Sequence, residues 1–583
     1  MILLRKLYSS PEVFTPIVFE KGINLIIGDK SENNDKTNGV GKSVCIEFIN
    51  FCLLKDKTHS RVMLIDDDTI PASTQIKLDL ELFGEPITLS RSKESPDKPK
   101  LFSAKRNIEF ESLDDALKYL NESINHLSPN NEETPSFREF MSLLARDEKS
   151  EFQNILKCYD VNKKAPENLV PHLFLLGLDL TSYKEIKKII NEISESTDYI
   201  RKVTSSILDF YPGKDLDTIR SELNSLQDEI SKISSAIEEL NTIESLKGVQ
   251  QDIINLEDSI DQLRYRQQAI RTQISKIELV PKFEAIPASD IETLYNQFKA
   301  GLGTHLKKSI DEVQEFKTKI DQFQSNILSE KLVSLKNDLS GIEAQIAERS
   351  ATLKETTKSI SHTGILRNLK NSLSVYDKKN ADASKIRSLF IELDNEAKKK
   401  QRLLSLKSSK IIDYDLNIES NDDRISSFER TILEIHEFIM GDKKASFRIT
   451  TEDKATKKEF VNIEYRIKDD GSHSVDRAKV FIYDIAMLVN EYTNKRHPNF
   501  LIHDNIFDVD QDTMVKSLNY LNVLKNKFPF QYILTLNRDK IENEEAQKLI
   551  NLNITQHTRE TFTKDKRLLK KAYQERMKGT PKK

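Results

Sequence analysis

The sequence predicts an α/β domain that is assembled from the two ends of the chain and interrupted by a long antiparallel α-helical coiled coil. Three observations predict it. A strand, a glycine loop and a helix follow one another near the amino terminus, heptad series of apolar residues fill the middle, and strand patterns return after about residue 445. We therefore expect segments 1–180 and 441–583 to form one unit although they lie far apart in the sequence.

The glycine loop is the run K-T-N-G-V-G-K-S, from Lys36 to Ser43. It follows the apolar run 23–28 and precedes the mixed apolar stretch 44–54, and this strand–loop–helix order is the context that a phosphate-binding loop requires. Lys36 stands where the usual spacing G-x-x-x-x-G-K-[ST] has its first glycine, so the polar stretch 29–35 is interpreted as an insertion. The alternative is an ordinary turn that opens a helix.

Such a loop binds the phosphates of ATP through backbone N–H groups at the start of the helix, where the helix dipole also favours negative charge. We expect Lys42 to reach the β- and γ-phosphates and the Ser43 hydroxyl to ligate Mg²⁺. The predicted nucleotide-binding residues of the loop are Asn38, Gly39, Val40, Gly41, Lys42, Ser43 and Val44.

The composition indicates long solvated helices rather than one compact globule. Of the 583 residues, 31% are charged and 37% are hydrophobic, and Trp is absent. The formal net charge of -4 excludes a global basic field that would draw the whole chain to nucleic acid. Two local basic clusters, 398–402 and 564–571, are interpreted as a solvated face and a solvated tail.

The cysteines and the hydropathy exclude two further classes. Cys45, Cys52 and Cys158 form no C-x-x-C pair, which excludes a cysteine-based zinc hook or zinc ribbon. No apolar run approaches about 18 residues, and no signal peptide opens the chain. We therefore expect a cytoplasmic protein with no membrane partner.

The middle of the chain carries the heptad pattern of a coiled coil. Apolar residues three and four apart define an outgoing arm over 181–280, with a phase slip at 241–247 that we interpret as a short stammer. Residues 281–304 contain two prolines and two glycines and are the predicted apex. A second series then defines a returning arm over 305–440.

The carboxyl-terminal segment contains the second half of a nucleotide site. The apolar run 500–503 ends in Asp504, which is the pattern of a buried strand whose terminal carboxylate holds Mg²⁺ through water. A second buried strand, 531–537, follows about 30 residues later. We predict that Asp504 and Ser43 share one Mg²⁺ and that the loop 41–43 converges on Asp504 in the fold.

On these residues the chain resembles the SMC/Rad50/RecN class of ABC ATPases, which place a Walker A motif first, then a long antiparallel coiled coil, then a signature loop and a Walker B motif. The glycine loop and the strings H-D-N-I-F-D (503–508) and Q-Y-I-L-T-L-N (531–537) resemble a short-armed bacterial group that carries a C-terminal domain of unknown function. That group occurs in three-component ABC operons, several of them linked to defence against phages and plasmids.

The resemblance implies a function. It implies an ABC-type ATPase head that forms a homodimer by sandwiching ATP and that clamps or senses DNA without sequence preference, through phosphate contacts. The implied partners are a small adaptor and a nuclease-like effector. Two alternatives stay open: an ATP-switched scaffold with little turnover and no DNA contact, and a Rad50/RecN-like DNA repair ATPase.

The chain departs from the family pattern after Asp504, where ABC-type ATPases usually carry a glutamate that polarises the attacking water. Asn505 is an amide that cannot act as a base, so we expect slow hydrolysis unless Asp508 or Asp510 takes that role. The alternative for Asp508 and Asp510 is turn formation and helix capping.

The remaining candidates are implied by the resemblance. Ser472 and Ser474 lie in a degenerate signature-like loop, for which the alternative is an ordinary turn or helix N-cap. Arg61 is either a phosphate-facing arginine or a surface residue. Asn537 stands near the place of the usual switch histidine, and Gln153 is a candidate for the glutamine loop.

Overall fold

The computed structural model describes residues 1–31, 39–128, 132–147, 152–158, 167–241, 247–278, 330–357, 364–454, 457–468 and 471–571. The chain divides into two compact units, the first made of 1–190 and 406–581 and the second of 191–405 with 582–583. The predicted fold class is confirmed, because strands from both ends of the chain share one sheet and long helices lie between them. The finer division into arms and apex stays a prediction, and the predicted apex lies outside the described residues.

The strands, all in the first unit, are numbered in chain order. They are β1 (Ile2–Ser10), β2 (Ile17–Val18), β3 (Gly22–Gly28), β4 (Gln75–Leu82), β5 (Glu85–Arg91), β6 (Lys100–Ser103), β7 (Asn107–Glu109), β8 (Ala145–Arg146), β9 (Ala445–Thr451), β10 (Val461–Ile467), β11 (Phe500–His503), β12 (Gln531–Asn537) and β13 (Thr558–Phe562). Strands β2-β1-β4-β5-β6-β7 form an antiparallel sheet, and β9 and β10 pair as an antiparallel hairpin.

The helices are numbered in the same way. They are α1 (Lys42–Cys52), α2 (Leu113–Ile124), α3 (Phe137–Leu144), α4 (Val170–Leu176), α5 (Leu180–Phe210), α6 (Leu216–Asn241), α7 (Lys247–Glu278), α8 (330–357), α9 (Gly364–Ser420), α10 (Asp422–Met440), α11 (His473–Val489), α12 (Gln511–Leu524), α13 (Glu544–Leu549) and α14 (Ile554–His557). Within the described residues, none of them combines the length and the hydropathy that a membrane span needs.

A five-stranded parallel sheet positions the candidate site. Its order is β13-β3-β12-β11-β8, and every neighbouring pair is parallel. Strands β3 and β12 pair without interruption from Gly22 opposite Gln531 to Gly28 opposite Asn537. Both strands are buried and largely apolar, as expected of a parallel sheet covered on both faces. All five carboxyl ends therefore lie along one edge, where ligands bind in open α/β sheets.

One sequence-based helix is shorter than expected. The pattern over 137–156 predicts a single helix, but α3 ends at Leu144 and the chain continues as β8, which pairs with β11. The prediction was wrong because Ala145 and Arg146 pair with β11, and the local pattern carries no information on such a distant partner. A capping box between Ser136 and Glu139 fixes the start of α3.

In the second unit, long helices pair in antiparallel fashion. Arg220 of α6 pairs with Asp394 of α9 at 2.8 Å, and Glu229, farther along α6, pairs with Lys379, which comes earlier in α9. Apolar residues of α5, α6 and α9 fill the space between the helices, among them Ile219, Leu223, Ile386 and Phe390. This packing is that of a helical bundle with a heptad seam.

The same unit contains a change of direction that the heptads did not predict. Arg271 of α7 pairs with Glu343 of α8 at 2.7 Å, so these helices also lie side by side. Towards α9, Arg264 contacts Asp377 and Gln268 contacts Ser388, so α7 runs in the same direction as α9 and opposite to α6. The phase slip at 241–247 therefore separates helices of opposite direction, because a heptad pattern defines an apolar face and carries no information on chain direction.

Candidate nucleotide site

The glycine loop enters α1 through two glycines with left-handed backbone. Gly39 has φ of +70° and Gly41, the N-cap of α1, has φ of +116°; only glycine adopts such angles at no steric cost. Lys42 is the first helical residue, and Ser43 and Val44 follow in the first turn, whose N–H groups have no acceptor within the helix. Asn38 lies outside the described residues.

Lys42 reaches the end of the neighbouring strand. Its Nζ donates a hydrogen bond of 2.5 Å to Oδ1 of Asn537, the last residue of β12, and both side chains are largely buried. The contact follows from the sheet, because β12 lies directly beside β3 and its carboxyl end faces the loop that β3 feeds into α1. The structure thus brings together two candidates from opposite ends of the chain.

Asp504 directly follows β11, two strands away from β3. It is 1% exposed, and the Thr535 hydroxyl donates to its Oδ1 at 2.7 Å. On the helix side, burial raises the pKa of the Cys45 thiol, and the carboxylates of Asp504 and Glu560 raise it further. Cys45 lies one helical turn after Lys42. The electrostatic effect of Asp504 on Cys45 therefore reaches the first turn of α1, which begins with the loop lysine.

Asn505 occupies a left-handed backbone position, with φ of +62°. Its N–H donates to the Thr535 hydroxyl oxygen at 2.8 Å, and its carbonyl accepts from Nη1 of Arg477 at 2.6 Å. Asparagine tolerates this conformation better than most residues with a Cβ. The structure therefore gives a backbone reason for an amide at the place where the family pattern has glutamate.

Two other carboxylates near this strand have partners of their own. Asp508 is exposed and pairs with Lys540 at 3.1 Å. Asp510 is the N-cap of α12, where it accepts from the Thr513 N–H at 2.9 Å. The structure thus places Asp510 in the capping position that we left open as the alternative to catalysis.

The signature-like loop is the start of α11. Ser472 is the N-cap and accepts from the Val475 N–H. Ser474 accepts from the Asp510 N–H at 3.1 Å, so the start of α11 is tied to the start of α12 within the same chain. Both serines therefore have local structural partners in the described residues.

Arg61 and Gln153 lie on segments that flank the site. Arg61 begins a short 3₁₀ helix after α1, and its N–H donates to the buried Glu47 carboxylate, which also pairs with the buried Lys55 at 2.8 Å. Gln153 is exposed in the segment that follows β8. Because β8 is the neighbour of β11, the end of β8 lies beside Asp504, whose N–H donates to the Arg146 carbonyl at 3.0 Å.

A buried ionic network behind Asp504 was not predicted. Two nitrogens of the Arg146 guanidinium contact the Asp484 carboxylate of α11, at 2.6 and 2.8 Å. Asp484 Oδ2, the oxygen that Arg146 Nε contacts, also lies 3.0 Å from His503 Nε2. His503 Nδ1 lies 2.9 Å from the Tyr532 hydroxyl. The signal in the sequence was Asp484 itself, a carboxylate in the otherwise apolar stretch 480–488.

The contacts within this network, together with burial, shift the pKa values of Asp484 and His503. Burial works to raise the pKa of Asp484, but Arg146 and His503 outweigh it and the pKa lies below its ordinary value. Burial lowers the pKa of His503 despite the opposite effect of Asp484. The network therefore joins β8, β11 and α11 through a buried ion pair and a neutral imidazole.

The groups at this edge fit ATP with Mg²⁺. Mg²⁺ prefers oxygen ligands and takes one or two from the protein with the rest from phosphates and water, and Ser43 and Asp504 supply a hydroxyl and a carboxylate. Among the residues that the structure describes, no group of three or more His, Cys, Asp or Glu side chains forms a metal site by itself. The fold is thus an α/β unit, called the head below, which is assembled from both ends of the chain and interrupted by long antiparallel helices.

The chain is similar to known proteins in its carboxyl-terminal segment and over most of its length. Residues 428–573 match the family model described as "Uncharacterised protein conserved in bacteria (DUF2326)". Over 563 residues the chain is 24% identical to the uncharacterized protein YydD of Bacillus subtilis (strain 168), with 91% of each chain covered.

Two solved structures are also similar. One is the Smc head domain with a coiled coil and joint from Pyrococcus yayanosii, at 13% identity, 94% coverage of each chain and a TM-score of 0.33. The other is the Smc head domain with an extended coiled coil, bound to the C-terminal domain of ScpA, from Pyrococcus furiosus, at 11% identity, 93% and 91% coverage and a TM-score of 0.32. TM-scores of this size carry no argument, so the proposals below rest on the residues of the site.

Proposed function

We propose that the head binds ATP with Mg²⁺ and hydrolyses it slowly. The observation that carries the proposal is the contact of Lys42 with Asn537 beside the buried Asp504, at the edge where five parallel strands end. In this proposal the phosphates bind the first turn of α1 and Lys42, and Mg²⁺ lies between Ser43 and Asp504. Asn537 holds the ammonium in place, and a phosphate oxygen competes for it successfully because the negative charge of the phosphate adds a Coulomb attraction that the neutral amide does not supply.

Slow hydrolysis is supported by the position after Asp504. The Asn505 side chain is an amide, and its backbone is held by Thr535 and Arg477. The nearest alternative carboxylates, Asp508 and Asp510, already pair with Lys540 and cap α12. These contacts favour, as a second candidate function, an ATP-driven conformational switch with little turnover and no direct DNA contact.

A more specific proposal concerns dimerisation of the head, its contact with DNA and its partner proteins. We propose that two heads sandwich ATP, with the start of one head's α11, around Ser472 and Ser474, facing the nucleotide of the other. The head would clamp or sense DNA by phosphate contacts, as the sensor or motor of a cytoplasmic complex that acts against phages or plasmids. A small adaptor and a nuclease-like effector complete that proposal, which the resemblance of the motifs supports.

Titration of a fluorescent ATP analogue tests the nucleotide proposal. We expect the wild-type chain to bind in the presence of Mg²⁺ and Lys42→Ala to bind at least about tenfold more weakly, because a buried charge-assisted contact is lost. Lys105→Ala, which removes an exposed lysine on the antiparallel sheet, is the matched control and should bind as the wild type does. Equal binding by Lys42→Ala and wild type would refute the site.

A second titration separates the two candidate functions. ATP turnover is measured with and without linear DNA, and DNA binding is measured across a range of salt concentrations. Turnover that DNA stimulates, with binding that weakens as salt rises, supports the DNA-sensing ATPase. Turnover that DNA leaves unchanged, without salt-dependent binding, supports the switch and contradicts DNA sensing.

A further inference from the structure

The segment after β13 is a compact turn rather than a solvated tail. We call residues 563–570 the C-terminal turn; most of the basic cluster near the end of the sequence lies in it. The Thr563 N–H donates to the Lys566 carbonyl at 3.1 Å and closes the turn. Leu568 and Leu569 are 3% and 4% exposed, so they anchor the turn in the core of the head.

The C-terminal turn packs directly on the glycine loop. The Leu568 N–H donates to the Val40 carbonyl at 3.3 Å. A Cβ on Gly41 would lie only 2.7 Å from the Cβ of Leu568, so residue 41 must be glycine for this contact as well as for its backbone angle. The loop is thus shaped by the end of the chain as well as by β3 and α1.

Lys564 of the C-terminal turn places its ammonium next to the glycine loop. Its Nζ lies 3.2 Å from the position that a Cβ on Gly39 would occupy, three residues before Lys42. Two neighbouring lysines point elsewhere: Lys566 pairs with Glu560 at 2.7 Å and Lys570 with Glu12 at 3.2 Å. The turn therefore directs one particular ammonium towards the loop.

We propose that the C-terminal turn is a wall of the nucleotide site and that Lys564 supplies a second ammonium to the polyphosphate, beside Lys42. The inference rests on the proposed function, because it concerns the same nucleotide. Backbone N–H groups and Lys42 act at the start of α1, and Lys564 acts at Gly39. A second cation favours the nucleotide with more negative charge, so Lys564 contributes to the preference for ATP over ADP.

The test compares three variants of the full-length chain in titrations with ATP and with ADP. We expect Lys564→Ala to weaken ATP binding by about tenfold and ADP binding by less, since a partly exposed charge-assisted contact is lost. Lys564→Arg keeps the charge and should recover most of the affinity. Lys566→Ala removes the same charge two residues away and should bind both nucleotides as the wild type does.

Lysine acylation followed by mass spectrometry gives an independent readout. ATP should protect Lys564 from acylation and leave Lys566 unprotected. Thermal unfolding without nucleotide is measured for the same variants. An affinity loss in Lys564→Ala that Lys564→Arg recovers at equal stability identifies phosphate contact and not a role in folding.

The outcomes distinguish the inference from the function on which it rests. If Lys42→Ala loses ATP binding while Lys564→Ala binds ATP and ADP as the wild type does, the role of Lys564 is overturned and the proposed function stands. If the wild type binds no ATP, both proposals fall.

Discussion

The ammonium of Lys42 donates a 2.5 Å hydrogen bond to the side-chain oxygen of Asn537, a residue 495 positions later in the chain. The contact exists because β3 and β12 are neighbours in one parallel sheet, so the loop after one strand meets the end of the other. It fixes the long lysine side chain at the edge of the sheet before any phosphate is bound. Such preorganisation lowers the ordering cost of binding.

Substitution of Asn537 tests this contact. Asn537→Asp should bind ATP at least about tenfold more weakly, because a buried carboxylate both retains the Lys42 ammonium and repels phosphate. Asn537→Ala should bind ATP within about threefold of wild type, since the loss of the preorganising contact weakens binding while the loss of a neutral competitor strengthens it. Nucleotide titration checks both variants, and an Asn537→Asp variant with unchanged affinity would contradict the role given to the contact.

The Thr535 hydroxyl serves two groups at once, as donor to Asp504 and as acceptor from the Asn505 N–H. Thr535→Val keeps the shape of the side chain but removes the hydroxyl, so both partners lose their hydrogen bond to it. We therefore expect the head to lose about 2–4 kcal/mol of unfolding free energy. Thr535→Ser retains the hydroxyl and should lose less than about 1 kcal/mol by comparison. Urea unfolding followed by tyrosine fluorescence measures the difference; equal losses would show that packing, not the hydroxyl, matters here.

The left-handed backbone at Asn505 predicts an unusual substitution pattern. Asn505→Gly should leave stability within about 0.5 kcal/mol of wild type, whereas Asn505→Val should cost more than about 1 kcal/mol, because a β-branched residue is strained at positive φ. The same denaturant titration decides between them. A valine that is tolerated as well as glycine would argue against the backbone explanation for this amide.

The ion pair between Arg146 and Asp484 is fully buried. Removing Arg146 takes away the positive charge that balances the Asp484 carboxylate, although the His503 imidazole still contacts it. Arg146→Met should therefore cost about 3–5 kcal/mol of unfolding free energy. The matched control is Arg5→Met, which breaks the exposed pair with Glu81 and should cost less than about 1 kcal/mol. Similar losses for the two variants would contradict the structure at β8.

Buried histidines predict how stability depends on pH. Burial lowers the pKa of His172 and of His497 to about 3, from an ordinary value of 6.5. Below pH 6.5 the unfolded chain takes up these protons and the folded chain does not, so stability is lost as pH falls from 6.5 towards 3, by about 1.4 kcal/mol per pH unit for each histidine. Above that window these groups contribute no pH dependence.

Unfolding by urea between about pH 8 and about pH 5 measures the slope. His172→Gln should reduce the slope by one proton, because glutamine does not titrate and can still bond the Tyr483 hydroxyl that lies 2.9 Å from the imidazole. An unchanged slope in this variant would show that the pKa of His172 is the same in the folded and the unfolded chain.

Local patterns point to the parts of the candidate site that are encoded locally. The residues around Lys42 and Asp504 are recognisable because a phosphate loop and a strand-terminal carboxylate need particular residues at fixed spacings. The conformation of Asn505 was not predictable, since it depends on contacts with Thr535 and Arg477 from two other elements. Sequence spacing carries no information on such contacts.

The strand β13 and the turn that follows it were also not predictable from the local sequence. The strand β13 reads T-R-E-T-F and has no apolar alternation, because its stability comes from pairing with β3 and not from its own side chains. The turn that follows it was interpreted as a solvated tail from its charges alone. Its two buried leucines pack on a loop more than 500 residues earlier, and only the tertiary fold reveals that contact.

We propose that Ser43 and Asp504, from opposite ends of the chain, hold one Mg²⁺ with the nucleotide. The most direct measurement is ATP affinity with and without Mg²⁺ for wild type, Ser43→Ala, Asp504→Asn and the double variant. If the two residues share one ion, each single change removes most of the Mg²⁺-dependent part of the affinity and the double change removes little more. Mg²⁺-dependent losses that simply add in the double variant, or a Mg²⁺ dependence that survives both changes, would contradict the claim.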